Sequence, residues 1–444
     1  MTDFSRIEHP AAPPIRVDGS GLEAGATAAP EPFSETEMAQ IRAAFPILSR
    51  SVRGGAPLAY LDSAATSQRA IAGLLAQRDF SFSHNAAVHR GAHALAEEAT
   101  AMYERARQTV GQFFGARSDE VVFTNGTTAA INLLVWSIER SGRIQPGDRL
   151  VVTQAEHHSN LVPWQQLALT TGAELAWLPV AADGRLDLSG LDGVINAKTK
   201  VVAFGHASNV TGAVADVANI AQAAHSVGAW TVLDAAQTAP HQPIDFATLG
   251  VDFAALSSHK MYGPTGVGAL LGRAELLADL PPGPTGGSMV EIVTMTETTF
   301  MHPPARFEPG TPPMTQVVGW AAALDWLRSI GWERAMAHEA HLTAHLLDGL
   351  AAIDGVKVLG PTDPGGRLGV VSVSIEGVHP HDAGQYIDST GVAVRVGHHC
   401  AQPVHRALGV SASTRASLGL YNTAPEVDRF LQALSQVRPY FGAG

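Results

Sequence analysis

The stretch Phe253-Ala-Ala-Leu-Ser-Ser-His-Lys260-Met-Tyr-Gly-Pro-Thr-Gly266 has the pattern of a buried strand followed by a loop rich in glycine and proline. Its lysine stands just after the apolar run. Lysine is almost never buried without a purpose, and a desolvated amine has a depressed pKa and readily forms Schiff bases. The pattern therefore favours a reactive amine at Lys260 over a lysine on the surface.

Few other residues could supply such an amine, because the chain has only three further lysines. Lys198 and Lys200 flank the start of a strand-like run, as solvated charges do. Lys357 lies between two valines in a short run typical of an edge strand. Lys260 is thus the candidate amine nucleophile of the sequence.

Short β-rich runs alternate with helical stretches over the first two thirds of the chain, for example with helical spacing at Val217, Ile220 and Ala224. The strand-like runs are Val121–Thr124, Leu150–Thr153, Val201–Gly205, Thr231–Leu233 and Phe253–Leu256. Such alternation predicts an α/β fold with a mainly parallel sheet, whose ligands bind at the carboxyl ends of the strands.

Four segments follow from changes in composition and periodicity along the chain. Residues 1–33 are rich in Ala and Pro and predict a disordered tail. Residues 34–57 begin with a capping box, Ser34-x-x-Glu37, and predict a helix that packs on the small domain. Residues 58–305 predict a large domain. Residues 306–444 predict a small α+β domain, with helices at Val317–Ile330, Trp332–Ile353 and Glu426–Val437 and strands at Gly369–Ile375 and Val392–Val396.

Composition excludes several classes of function. A net charge of −12 provides no basic stripe for nucleic acid, so we expect no such partner. No apolar run approaches the ~20 residues that span a bilayer, and the N-terminal residues lack the apolar core of a secretory signal. With one cysteine in 444 residues, we expect a cytoplasmic protein.

A carboxylate follows the strand-like run Thr231-Val-Leu-Asp234, with Gln237 three residues later. It could keep a heterocyclic nitrogen protonated, as the ring of pyridoxal phosphate requires to accept electrons. A helix N-cap aspartate would give the same local pattern.

Hydroxyl groups stand at another strand–helix junction, Asn125-Gly-Thr127-Thr128, where free N–H groups would bind a phosphate. An ordinary capped helix has the same pattern. The junction lacks the P-loop lysine, so a nucleoside triphosphate is disfavoured.

A pair of histidines follows a third strand, in Glu156-His157-His158. A histidine there can stack on a cofactor ring or move protons. Adjacent loop residues seldom bind one ion and no third ligand has suitable spacing, so we expect no metal site.

The lone cysteine, Cys400, lies in the run Arg395-Val-Gly-His-His-Cys-Ala-Gln-Pro403. It is a nucleophile or a buried core thiol, and the glycine- and histidine-containing loop favours the nucleophile. His398 and His399 precede it directly, and neither is assigned a role from the sequence.

Together these motifs closely resemble the Suf-type cysteine desulfurases, a group within the class V, fold-type-I pyridoxal phosphate enzymes. The resemblance extends from about Phe45 to the C-terminus. Further matching motifs are Tyr60-Leu-Asp-Ser-Ala-Ala-Thr66, Val88-His-Arg-Gly91, Ser208-Asn-Val-Thr-Gly212, Gly287-Ser-Met289, Phe307-Glu-Pro-Gly-Thr-Pro312, Arg415-Ala-Ser-Leu418 and Tyr421-Asn-Thr423. The fold implied is a large domain with a mainly parallel seven-stranded sheet flanked by helices, and a small α+β domain.

The resemblance also implies roles for individual residues. Lys260 and Cys400 are the expected catalytic groups, with His157 stacked on the cofactor ring. Asp234 is expected to pair with the ring nitrogen and Gln237 with the phenolic oxygen. The remaining cofactor contacts are expected from Thr127, Thr128, Ser257 and His259, and from Thr311 of the second subunit of a homodimer. Substrate binding is expected from Asn209, Arg415, Arg395 and His89.

The function implied is conversion of L-cysteine to L-alanine, with a persulfide on Cys400 that passes to a small acceptor protein for iron–sulfur cluster assembly. That acceptor would be zinc-containing (SufU-like) or SufE-like. His381, in Val378-His-Pro-His-Asp382, would then be a candidate ligand to the partner's zinc, or else an exposed turn histidine. The alternatives are a selenocysteine lyase or related pyridoxal phosphate lyase, and a catalytically inactive scaffold on the same fold.

Overall fold

A computed structural model describes residues 32–443. The predicted N-terminal tail falls almost wholly outside these residues. The helices are α1 (Glu35–Ala43), α2 (Ile71–Asp79), α3 (Ala94–Phe113), α4 (Thr127–Ser141), α5 (Val162–Thr171), α6 (Leu191–Val194), α7 (Val217–Ser226), α8 (Ala274–Asp279), α9 (Met314–Ile330), α10 (Trp332–Ala351), α11 (Pro380–Ser389), α12 (Gln402–Ala407), α13 (Ala424–Ser435) and α14 (Val437–Phe441). Within residues 32–443, no helix is both long and apolar enough to cross a membrane.

The strands form one large sheet, one smaller sheet and two short pairs. The strands are β1 (Ala59–Tyr60), β2 (Val121–Thr124), β3 (Arg149–Thr153), β4 (Glu174–Leu178), β5 (Thr199–Gly205), β6 (Trp230–Asp234), β7 (Phe253–Ser257), β8 (Gly268–Gly272), β9 (Val290–Val293), β10 (Thr298–Phe300), β11 (Val356–Leu359), β12 (Val370–Ile375), β13 (Val392–Ala393), β14 (Arg395–Gly397) and β15 (Ser413–Ser417).

The large sheet has seven strands in the order β2-β8-β7-β6-β5-β3-β4. Neighbouring strands are parallel except along β8, which is antiparallel to both β2 and β7. The predicted fold class is therefore confirmed, and the five predicted strands are present. The sequence analysis missed β4, whose residues are only partly buried, and β8, which is bounded by glycines. Neither has the uninterrupted apolar run that identified the others.

Helices cover both faces of this sheet, so the side chains of β5, β6 and β7 are mostly buried and apolar. On one face, Val202, Leu233 and Ala254 pack with residues of α7 and α9. On the other face, Val201, Val232 and Ala255 pack with residues of α4 and α5. Since β2, β3, β5, β6 and β7 point the same way, their carboxyl ends meet at one edge of the sheet.

The smaller sheet is antiparallel, in the order β11-β12-β15-β14. Its core includes residues of α10, α11 and α13. The prediction of a single strand at Val392–Val396 is wrong, because this segment contains two strands with different partners. Strand β13 pairs with β1, and β14 pairs with β15. Thr423 and Glu426 cap α13, and a separate helix, α14, follows it.

The capping box predicted at Ser34 and Glu37 is present, and α1 ends at Ala43 before Pro46. Arg42 donates a hydrogen bond to the carbonyl of Tyr421 and pairs with Glu426 at 3.0 Å.

Helix α9 packs on α2 and α3. We retain the division at residues 58 and 306 as a proposal. Two contacts link the large and small domains across residue 306: the pairing of β1 with β13, and this packing of α9 on α2 and α3.

Candidate active site

A cavity opens at the carboxyl edge of the large sheet, with about 980 Å³ of space that includes its open mouth. The strands β2, β3, β5, β6 and β7 each place a polar group there, because the last residue of the strand or the turn after it faces the cavity. The predicted site residues that line it are Thr127, Thr128, His157, Asn209, Asp234, Gln237, Ser257, His259, Lys260, Arg395 and Arg415. Residues far apart in sequence are thus brought into one site.

Lys260 ends the short 3₁₀ turn that follows β7. Burial lowers the pKa of its amine to about 8, and the Asp234 carboxylate partly offsets this by favouring the ammonium form. The Arg415 and Arg395 guanidinium groups lower the pKa further. About a tenth of the amine is therefore unprotonated at pH 7, far more than for a lysine with an ordinary pKa, and this is the form that a nucleophile requires.

Asp234 is the last residue of β6, and its Oδ1 accepts the backbone N–H of Ala236 at 3.0 Å. Burial raises the pKa of this carboxyl, whereas the Lys260 amine acts in the opposite direction. Gln237 lies in the next turn and donates from Nε2 to the carbonyl of Ala64 at 3.0 Å. Its Oε1 is buried and has no hydrogen-bond partner among residues 32–443.

Hydroxyl groups surround the N-terminus of α4. The Ser257 Oγ accepts the backbone N–H of Thr127 at 2.9 Å and lies 2.8 Å from its Oγ1. Gly126 precedes them with φ of 136°, a conformation that other residues rarely adopt. Thr128 and Ser159 share a hydroxyl hydrogen bond of 2.7 Å, and His259 lines the same region. This is a donor set suited to phosphate.

His157 is held as a neutral ring. Its Nδ1 accepts the backbone N–H of Ser159 at 3.1 Å, so Nε2 carries the proton. Burial lowers its pKa to about 3, with a further contribution from Lys260. A neutral, oriented imidazole suits the predicted stacking role.

Arg415 is buried at the cavity wall, with 1% of its side chain exposed. It donates to the carbonyl of Asn209 at 3.0 Å and to Oδ1 of Asp62 at 3.1 Å. Its Nε–H has no partner within the part of the chain that the structure describes. Asn209 donates from Nδ2 to the carbonyl of His399 at 2.6 Å, in the loop that carries Cys400. That N–H group is therefore not free to bind a substrate carboxylate.

Cys400 lies between β14 and α12, and its neighbours Arg395 and His399 line the cavity. Arg395 Nη2 is 3.9 Å from the Cys400 Sγ. Cys400 also lies close enough to Lys260 to affect the pKa of its amine. The Cys400 side chain is not among those that line the cavity, and Arg395 connects its sulfur to the cavity wall.

Two consecutive residues of this loop, His399 and Cys400, have φ of 50° and 56°. The left-handed region costs non-glycine residues about 1–2 kcal/mol each, so the surroundings must hold the loop. His158 donates its N–H to the Cys400 carbonyl at 2.7 Å. Ser413 Oγ lies 3.0 Å from His399 Nε2 and 2.9 Å from His405 Nε2, which anchors the histidine beside the thiol.

Besides Cys400, three predicted residues do not line this cavity. His89 is exposed and contacts Glu104 at 2.8 Å. Thr311 lines a separate surface pocket with Phe123, Trp136 and Pro284. His381 is exposed at the start of α11.

Sequence reasoning assigned no role to two acidic residues at the cavity. Asp62 pairs with Arg415, and Glu156 is buried next to His157. The signal for Glu156 was present in its spacing from Thr153 and Asn160, which both donate hydrogen bonds to it. Asp62 contacts a residue 353 positions away, and no local pattern reveals such a contact.

The family model described as aminotransferase class-V matches residues 59–430 of the chain. The chain belongs to the class-V aminotransferase family. Relatives within this family include a probable cysteine desulfurase 2 from Mycobacterium leprae, with 51% identity over 91% of this chain and 98% of the relative. A probable cysteine desulfurase from Streptomyces coelicolor is 48% identical, over 90% of this chain and 97% of the relative.

Two solved class-V structures have the same architecture. The cysteine desulfurase from Thermococcus onnurineus has a TM-score of 0.85 and 35% identity, covering 90% of this chain and 97% of that one. The Escherichia coli cysteine desulfurase in its S-sulfonic acid form has a TM-score of 0.83 and 37% identity, covering 91% and 98%. These matches confirm the predicted fold, the class of enzyme and its pyridoxal phosphate cofactor.

Proposed function

We propose that this protein is a Suf-type cysteine desulfurase, which converts L-cysteine to L-alanine and holds the removed sulfur as a persulfide on Cys400. One observation carries the proposal. Lys260 lines the cavity together with Arg395, and Arg395 in turn contacts the Cys400 sulfur. Arg395 therefore connects an amine that can hold an amino acid through a cofactor to a thiol that can take its sulfur.

The residues present fit pyridoxal phosphate. The hydroxyls of Thr127 and Ser257 at the N-terminus of α4, with Thr128 and His259 beside them, suit its phosphate. Asp234 suits the ring nitrogen, and His157 suits the ring face. When bound, the cofactor supplies a Schiff base to an amine and a protonated ring that withdraws electrons from the substrate Cα.

Substrate binding requires a cation for the carboxylate of cysteine. Arg415 and Arg395 line the cavity, and the unpartnered Nε–H of Arg415 is a donor for one carboxylate oxygen. Lys260 then removes the Cα proton, which its lowered pKa permits near neutral pH. The contact of Asn209 with the cysteine loop couples this pocket to Cys400.

Sulfur transfer follows as a substitution at sulfur. The Cys400 thiolate attacks the substrate sulfur, and the new S–S bond forms as the bond from sulfur to the substrate Cβ breaks. The electron pair stays with the carbon, and its protonation gives alanine. Arg395 Nη2 lies 3.9 Å from the Sγ atom that attacks, at the wall of the cavity.

We further propose a cytoplasmic homodimer that passes its sulfur to a small acceptor for iron–sulfur cluster assembly. Thr311 and His89 lie away from their own cavity, which supports their action on the cavity of a second copy.

The test of the function is release of alanine from L-cysteine by the pyridoxal phosphate-loaded protein, with and without candidate acceptors. Absence of alanine under all these conditions would reject the proposal.

The acceptor should dock near α11. This helix packs against β14, which leads into the Cys400 loop, and it presents His381 with 60% of its side chain exposed. If His381 exchanges into the metal shell of a zinc-containing acceptor, His381→Ala should lose acceptor-stimulated alanine formation and keep the basal rate. His341→Ala, at an exposed site on α10, is the control. Equal loss of basal and stimulated rates in His381→Ala would contradict a role in sulfur acceptance.

A further inference from the structure

Glu156 is a carboxylic acid beside the cavity for which the proposed reaction has no use. It is 2% exposed and lines the cavity. Its Oε1 accepts from the Thr153 hydroxyl at 2.5 Å and from the Gly205 N–H at 2.9 Å, and its Oε2 accepts from Asn160 Nδ2 at 2.6 Å. All three partners donate, and the two shortest contacts have the length of charge-assisted hydrogen bonds. These three hydrogen bonds favour the ionised form of Glu156, whereas burial opposes it.

The position of Glu156 relative to Asp234 follows from the sheet register. Gly205 of β5 is paired with Asp234 of β6, so a side chain at 205 would point to the same face as that of Asp234. Gly205 has none, and a Cβ built there would lie 3.5 Å from Glu156 Oε2. The Glu156 carboxylate thus lies over the residue adjacent to Asp234, and neighbouring strands are only about 4.8 Å apart.

We propose that Glu156 is a positioning carboxylate of the cofactor site, which lies beside Asp234 and adds its negative charge to the one that Asp234 presents to the ring nitrogen. This inference rests on the proposed binding of pyridoxal phosphate and extends it. Two adjacent anions hold a cation on the cofactor more strongly than one, and the donors around Glu156 keep it ionised once that cation is present.

Electrostatics agree with this arrangement. Burial raises the pKa of Glu156 to about 8, and the Asp234 carboxylate acts in the same direction. At this pKa most of Glu156 is protonated near pH 7 in the cofactor-free protein, and a cation on the bound cofactor would lower the pKa and favour the carboxylate. The other titratable or charged groups around the pair are Lys260, His157, His206, Arg395 and Arg415.

The test is the pH titration of the ring nitrogen of isotope-labelled pyridoxal phosphate bound to the protein, followed by nitrogen NMR. The visible absorption band that the cofactor shows when it is bound to Lys260 confirms loading. Glu156→Gln removes the charge and retains the shape. We expect the midpoint of the ring-nitrogen titration to fall by roughly one to two pH units, because the protonated ring loses a nearby anion. Glu339→Gln is the matched control, because Glu339 is a largely buried carboxylate that pairs with His241 outside the cavity. Its titration should match that of the wild type.

A second variant covers the case in which Glu156→Gln does not fold. Thr153→Val removes one donor to the carboxylate and keeps the branched shape of a β3 residue. It should lower the midpoint in the same direction by a smaller amount. Titrations of Glu156→Gln and Thr153→Val that superimpose on the wild type would overturn the inference alone. A wild-type protein that shows no band with added pyridoxal phosphate would overturn the proposed function together with it.

Discussion

Cys400→Ala should reduce the formation of alanine from L-cysteine by at least about a hundredfold, because no other group can accept the sulfur. Cys400 is the only cysteine in the sequence. The replacement also suits the backbone, since alanine meets the same steric cost as cysteine at a φ of 56°. Initial rates of alanine release, measured with a reductant present, give the comparison.

The controls for this variant separate loss of the thiol from loss of the site. Cofactor absorbance should match that of the wild type, since Cys400 is not one of the residues assigned to the cofactor. Conversion of selenocysteine should persist, because release of selenide hardly needs a thiol nucleophile. Full retention of cysteine turnover in Cys400→Ala would contradict sulfur transfer to the thiol and favour the selenocysteine lyase alternative.

Lys260→Ala should abolish both the visible band of bound cofactor and cysteine turnover, with a loss of rate of about a thousandfold or more. The variant removes the amine that forms the Schiff base and the base that takes the Cα proton. Lys200→Ala is the matched control, since Lys200 is partly exposed and lies 3.7 Å from Asp148, away from the cavity. It should leave absorbance and turnover unchanged.

The wild type offers a pH test of the same amine. Burial lowers the pKa of Lys260 to about 8, so its nucleophilic form grows as pH rises toward that value. Capture of added pyridoxal phosphate by the cofactor-free protein should therefore quicken between about pH 6 and 9 and level off above about pH 9. Stopped-flow absorbance measures the rate. A rate independent of pH would show that the Lys260 amine is not the group that titrates.

Much of the site could be predicted because its residues follow strands. Apolar runs identified β6 and β7, and a polar residue after such a run must lie at the carboxyl edge of a parallel sheet. Asp234 and Lys260 follow from that rule alone. The resemblance to a family then supplied residues that local patterns do not distinguish, such as Arg415.

Contacts between distant segments were beyond sequence reasoning. Asn209 donates to the His399 carbonyl, 190 positions away, and no local pattern indicates that partner. The left-handed backbone at His399 and Cys400 was also unforeseen, because glycine is the residue that usually signals it. Glu156 was overlooked although Thr153 and Asn160, which donate hydrogen bonds to it, are close in sequence. Its contact with Gly205 is 49 positions away and has no local signal.

The most direct test of the account is a single turnover with L-cysteine, no acceptor and no reductant. Alanine and protein-bound sulfur are quantified together, and the sulfur is located by mass spectrometry of peptides. The account predicts one alanine per active site and one added sulfur atom on the peptide that contains Cys400. Alanine formed alongside free sulfide, with the Cys400 peptide unmodified, would contradict it.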